Sequence, residues 1–299
     1  MNPVPFLRKA ASRTGVLLLV ALVLAGCTHR PGNTNPTPSG TQSPIPFTGL
    51  TQDLRIRWSA EQGIDLLTGP AVVIRAYRES FVLGGLMASP KFYYPGFEQA
   101  VPPNGHQIYD LAIRPYVVGD PHLEDSGFQI TTPIVGAWYE HILSLTGDDT
   151  SGYIAIVCSW DYATGVQQSD GTYSYENRPP PKKPAFIDPY TGIGLYRITF
   201  TPPPPGSKPA TQPQRGTAPN ATTDVFGGWK IRTADHLATT GWRDEPNYWP
   251  QKAFSHDQKA CMEKSPDPYE KRLFFINGEH SRGDYPTLPA DPGWPAAGT

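Results

Sequence analysis

Apolar positions in the stretch TGPAVVIRAYRESFVLGGL recur at helical spacing. At about 100° per residue, Val73, Ile74, Ala76, Tyr77, Ser80, Phe81 and Leu83 share one side of the wheel, and Arg75, Arg78 and Glu79 share the other. Pro70 suits a first helical position, where its missing N–H costs nothing, and Gly84-Gly85 suits an end. The pattern predicts an amphipathic helix lying on a core, with its charges in solvent. SAEQGIDLL just upstream predicts a further short helix, and KFYYPGFEQAVPPNGH downstream predicts loop.

Beyond that loop the apolar period shortens to two. AWYEHILSLTGDDTSGYIAIVCSWDYATG reads as two strands around GDDTSG, a hairpin signature. In the second run Ile154, Ile156, Cys158, Trp160 and Tyr162 alternate onto one face, while Ala155 and Val157 make the other apolar enough to need cover. GLYRITFTP sets Tyr196, Ile198 and Phe200 against Arg197 and Thr199, and GGWKIRTADHL sets Trp229 and Ile231 against Lys230 and Arg232. Past Ala238 the periodicity fails. Residues 241–299, rich in Pro and Trp, predict an irregular extension over the domain, held by Cys261 and by aromatics such as Trp249, Phe274 and Phe275. Residues 51–240 therefore predict an α+β domain, an N-terminal helix packed on a curved antiparallel sheet. The 35 prolines and 29 glycines agree, since they oppose long helices and favour strands joined by irregular loops. Arg178–Pro184 and Thr201–Pro219 read as extended proline-rich loops.

The N-terminus carries a different pattern. Arg8, Lys9 and Arg13 precede an apolar run from Gly15 to Leu24, the layout of a secretory signal and too short for a spanning helix. Leu24-Ala25-Gly26-Cys27 closes the run and resembles the bacterial lipobox. That resemblance implies cleavage after residue 26, a diacylglycerol on the Cys27 sulfur, and a place on the outer face of the cytoplasmic membrane. One acyl chain holds a protein only marginally, whereas the two chains of a diacylglycerol anchor it stably, and acylation of the new amino group would add a third. Residues 27–50 then form a tether, because Thr28–Pro46 has no aromatic residue and cannot bury enough surface to fold.

Losing residues 1–26 removes three basic groups from 25 and no acidic ones from 27, leaving 22 against 27 and a net charge of −5. A nucleic-acid partner is excluded, since that needs a basic footprint. With Cys27 lipidated, two of the three cysteines remain, Cys158 and Cys261, an even pair in an oxidising compartment. They are expected to form a disulfide that pins the C-terminal extension.

The order helix, then antiparallel strands, then the Gly-Gly-Trp-Lys-Ile run at 227–231 resembles the NTF2-like family from Ile64 to Ala238. That resemblance implies a cone formed by a helix on a curved sheet. The long connection from Phe200 to Gly228 departs from it, because the family joins these strands by a short hairpin. An acidic, proline- and tryptophan-rich chain behind a lipobox also resembles actinobacterial, mycobacterial-type envelope lipoproteins.

No nucleophile elbow, phosphate-binding glycine loop or zinc-binding His-Glu-x-x-His occurs, so no cofactor or metal is assigned. Asp120, His122, Glu124 and Asp125 gather in DPHLEDSG, which matches an ordinary charged turn as well as a cation site. Arg282-Gly283-Asp284 is a tripeptide expected by chance. Some NTF2-like enzymes use acids and bases on the concave sheet. The positions that could do so here are Tyr139, His141, Asp161 and Tyr162, of which alternation puts Asp161 and Tyr162 on opposite faces. The expected function is a non-catalytic, lipid-anchored envelope module that binds a partner protein or a small apolar ligand. An enzyme with an acid/base site in the cone, and a prophage-type lipoprotein that blocks superinfection, are the alternatives.

Overall fold

The computed structural model describes residues 46–104, 112–119, 130–175, 188–204, 212–236 and 249–298. Cys27, the tether to residue 45 and DPHLEDSG at 120–127 lie outside the described residues. The fold is α+β. Among the described residues a sheet of eight strands comprises β1 (Asp53–Ala60), β2 (Ile134–Asp148), β3 (Gly152–Trp160), β4 (Thr164–Gln167), β5 (Tyr173–Ser174), β6 (Ile193–Thr201), β7 (Lys230–Asp235) and β8 (Glu279–His280). The path runs β7-β6-β3-β2-β4-β5-β8 through antiparallel pairs, and β1 adds to β2 in parallel. The α-helices among the described residues are α1 (Gly69–Leu86), the single turn α2 (Phe97–Ala100), α3 (Gln251–Glu263) and α4 (Tyr269–Ile276). None of them is long and apolar enough to cross a membrane.

The β2–β3 hairpin forms where its turn residues predict it. Asp148 closes the turn by accepting from the amides of Thr150 and Ser151 at 2.8 and 2.7 Å. Gly136 is set by geometry: its φ is +104°, and a Cβ there would meet the Ala163 carbonyl oxygen at 2.1 Å. That close approach lets β4 pair with the start of β2.

Alternation along the strands splits the sheet into two faces. Leu54, Ile56, Trp58, Ile134, Ile142, Val157, Ile198 and Phe200 pack with α1 in one core. Val135, Cys158, Trp160, Tyr162 and Leu195 pack with Trp249, Cys261 and Phe275 in another. The sheet is thus covered on both sides, by α1 on one and by the C-terminal helices on the other.

Several expectations are corrected. SAEQGIDLL is no helix: Ser59 and Ala60 end strand β1, and turns follow. The alternation of Leu54, Ile56 and Trp58 against Arg55 and Arg57 is the signal for that strand. Phe47 is already buried in the core, so packing begins inside the stretch read as tether. The extension read as irregular holds α3 and α4. Its prolines break neither helix, because Pro250 and Pro268 stand at the N-cap positions, just outside the hydrogen-bonded turns. Much of the Phe200–Gly228 connection is packed rather than loose, with Ala221, Val225 and Phe226 in the α1 core.

The largest correction concerns the charged side of α1, which is buried. Arg75, Arg78 and Glu79 are at most 2% exposed. Arg75 donates to the carbonyls of Leu66, Gln214 and Pro292 at 3.0, 3.1 and 2.7 Å and lies 4.1 Å from the Trp294 ring centre. Glu79 accepts from the Trp58 and Trp294 indoles, both at 2.8 Å, and from the Tyr94 hydroxyl at 2.5 Å. Segments 212–221 and 289–294, far away in sequence, provide the polar partners that make this burial tolerable.

Burial pushes the Glu79 carboxyl up to about 7, against the pull of Arg75 and of the three hydrogen-bond donors. The folded state then holds a proton that the unfolded chain releases near the ordinary 4.5. Stability contributed by Glu79 is full below that value and falls as pH rises towards 7, by on the order of 3 kcal/mol. Urea midpoints between pH 4.5 and 7.5 should show this decline, and Glu79→Gln should flatten it. An unchanged slope in Glu79→Gln would remove Glu79 as its source.

Candidate functional site

Of the residues with the chemistry named from sequence, Tyr139, His141 and Tyr162 lie on the sheet face away from α1. They therefore do not line a space between helix and sheet, because the face towards α1 is occupied by Trp138, Glu140 and Ile142 on β2. Tyr139 and Tyr162 come together with ring centres 6.4 Å apart, and burial raises both hydroxyls above their ordinary range. The Tyr162 hydroxyl donates to Asp267 at 3.1 Å, and Lys271 holds the other oxygen of that carboxylate at 2.6 Å. These contacts tie the turn after β3 to the segment leading into α4. Asp161 accepts from the Tyr175 hydroxyl at 2.9 Å and does not join the pair. Arg282-Gly283-Asp284 is folded into a short 3-10 turn, with the Asp284 carboxylate capping Ser281 at 2.9 and 2.8 Å.

His141 has partners that the sequence reading did not name. The parallel register of β1 and β2 sets Ser59 directly opposite His141. Glu61, two residues on, continues the extended path by donating its amide to Ile142 at 3.0 Å. With a period of two, Ser59 and Glu61 fall on the same side and bracket the imidazole. The Ser59 hydroxyl lies 2.8 Å from His141 Nδ1, and Glu61 Oε1 lies 3.1 Å from Nε2. Lys264, just after α3, pairs with the same Glu61 oxygen. Ser59 is exposed, whereas the His141 side chain is 10% exposed and packs beside the Trp160 ring at 6.1 Å.

A carboxylate only accepts, so the network assigns the imidazole proton to Nε2 and leaves Nδ1 to accept from Ser59. Burial lowers the proton affinity of His141, with Glu61 opposing, and the net shift is downward. The Glu61 carboxyl is lowered by its hydrogen bonds to Lys264 and then to His141. The result is a neutral imidazole between an exposed hydroxyl and an ionised carboxylate. The Ser-x-Glu spacing on an edge strand is the sequence signal for it, readable only once β1 is recognised as a strand.

On the second face Cys158 of β3 and Cys261 of α3 are joined in a disulfide, with Cα atoms 5.4 Å apart across 103 residues. The Trp160 indole donates to the Cys261 carbonyl at 3.1 Å, so strand and helix are fastened twice. Comparison with protein-family models, curated proteins and solved structures finds no match for this chain.

Proposed function

We propose that this chain is a lipid-anchored envelope protein whose folded domain serves as a binding module for an envelope protein or a small apolar ligand. The observation that carries the anchor is Leu24-Ala25-Gly26-Cys27 behind a basic segment and a short apolar run. The structure adds support, since Cys158 and Cys261 are bonded to each other and leave Cys27 as the remaining one of three cysteines. The net charge of −5 after residue 26 favours attachment by lipid over electrostatic docking on anionic headgroups. An NTF2-like cone is the finer reading of the domain, supported by α1 on the sheet and by Trp229 of the Gly-Gly-Trp-Lys-Ile run packing against Tyr153 and Phe200. Strand β1, parallel to β2 and ahead of the helix, is a departure from that family's order.

The anchor is tested in a bacterial host that lipidates its own lipoproteins. The wild-type chain is expected in the membrane fraction, with a mature N-terminal peptide whose mass includes acyl chains on Cys27. Cys27→Ala should stay unprocessed or be released without lipid. A Cys27→Ala chain that is cut and retained like wild type would end the lipoprotein reading.

A further inference from the structure

The triad around His141 goes beyond a binding role. We propose that Ser59 is a nucleophile for acyl transfer, with His141 as its general base, Glu61 as the carboxylate that orients the imidazole, and small carboxylic esters as the substrate class. Three features of the geometry carry this. The nucleophile is exposed at the end of an edge strand. Its oxygen lies within hydrogen-bond reach of the unprotonated ring nitrogen, and the opposite nitrogen is held by an ionised carboxylate. This is the constellation that activates a serine, with the two ring nitrogens exchanged relative to the usual arrangement. Lys264 fixes Glu61 from α3, so the orienting carboxylate is itself held in place.

In the first step Ser59 Oγ bonds to the ester carbonyl carbon and its proton passes to His141 Nδ1. The imidazolium is balanced by Glu61. The C–O bond to the leaving group then breaks, and the alcohol departs with the proton from Nδ1. Water attacks the acyl-serine in turn, gives a proton to His141, and releases the acid while Ser59 regains its hydrogen. Esters suit the site better than amides, because an alkoxide leaves with less protonation than an amine.

A buried histidine satisfied by two neighbours has the same static geometry, so the test must read reactivity. The folded full-length chain is treated with a fluorophosphonate probe, and hydrolysis of p-nitrophenyl acetate is followed in parallel. Labelling is expected on wild type, with the adduct located on Ser59 by peptide mapping. Ser59→Ala should abolish labelling and reduce hydrolysis to the buffer rate. His141→Gln should slow both by about a hundredfold or more, the share expected of a general base. Glu61→Gln, which removes a negative charge beside the ring and leaves Lys264, should move the acid limb of the pH–rate profile to lower pH. Absence of labelling on the folded wild-type chain, or an adduct that maps elsewhere or survives Ser59→Ala, would overturn the proposal.

Discussion

Arg78→Met is expected to lower the unfolding free energy by about 3–5 kcal/mol, the usual cost of leaving a buried charge without its partner. Arg78 donates to Glu140 at 3.1 Å, and both side chains are at most 1% exposed. Ser159 donates to the same Glu140 oxygen at 3.0 Å, and the Trp138 indole donates to Ser159 at 2.7 Å. The Tyr196 ring centre lies 3.6 Å from the guanidinium carbon. Burial works against the Arg78 charge, but Glu140, Tyr196 and Tyr77 outweigh it, and the net shift favours the protonated guanidinium. Removing Arg78 therefore leaves the Glu140 carboxylate in the core with a hydroxyl donor and no cation.

The pair is nonetheless incompletely satisfied. Among the described residues Arg78 Nε and Nη1 and Glu140 Oε2 find no hydrogen-bond partner. A double substitution, Arg78→Met with Glu140→Leu, should therefore recover most of the loss and end within about 1–2 kcal/mol of wild type. Urea denaturation of the two single variants and the double variant provides the cycle. A loss below about 1 kcal/mol for Arg78→Met would show that the pair is not the buried unit the structure describes.

Cys158→Ala with Cys261→Ala is expected to lower stability by about 2–5 kcal/mol, the range for removing a native disulfide that closes a long loop. The bond spans 103 residues and joins a central strand to a helix with a mostly polar surface. Helix α3 has Cys261 as its buried residue, so little apolar area holds it without the covalent link. Limited proteolysis of the double variant should cut first between residues 249 and 268. Thiol titration of the non-reduced, unfolded wild-type chain with Cys27 replaced should find no free thiol. Two free thiols would deny the bond, and an unchanged denaturation midpoint in the double variant would show that packing alone holds the helix.

Local pattern made much of this legible. The α1 helix, the β2–β3 hairpin and strands β6 and β7 follow from spacing and turn chemistry, which act between near neighbours, and the cysteine pair follows from the count of cysteines left after Cys27. Strand β1 was equally readable, yet the polar Ser59-Ala60-Glu61 at its end resembles a helix start and hides the alternation. The C-terminal helices were hidden differently. Their sequence has few apolar residues, and what stabilises them is the sheet face beneath and a bond to residue 158.

The destination of the charges on α1 could be settled only in three dimensions. A wheel shows which side chains share a face and says nothing of what covers that face. Arg75 and Glu79 are buried because Gln214, Pro292 and Trp294, between 139 and 217 residues away, reach them with carbonyls and an indole. The same holds for His141: Tyr139 and His141 lie on β2 and Tyr162 in the turn after β3, and the side they occupy depends on where α1 and α3 pack. Ser59 and Glu61 meet the imidazole through the parallel register of β1 on β2, separated by about 80 residues of chain. Sequence by itself determined the elements whose causes are local, namely period, turn and cap. Tertiary structure decided which polar groups meet, because a buried charge or a bracketed histidine depends on donors and acceptors that the fold alone brings within about 3 Å.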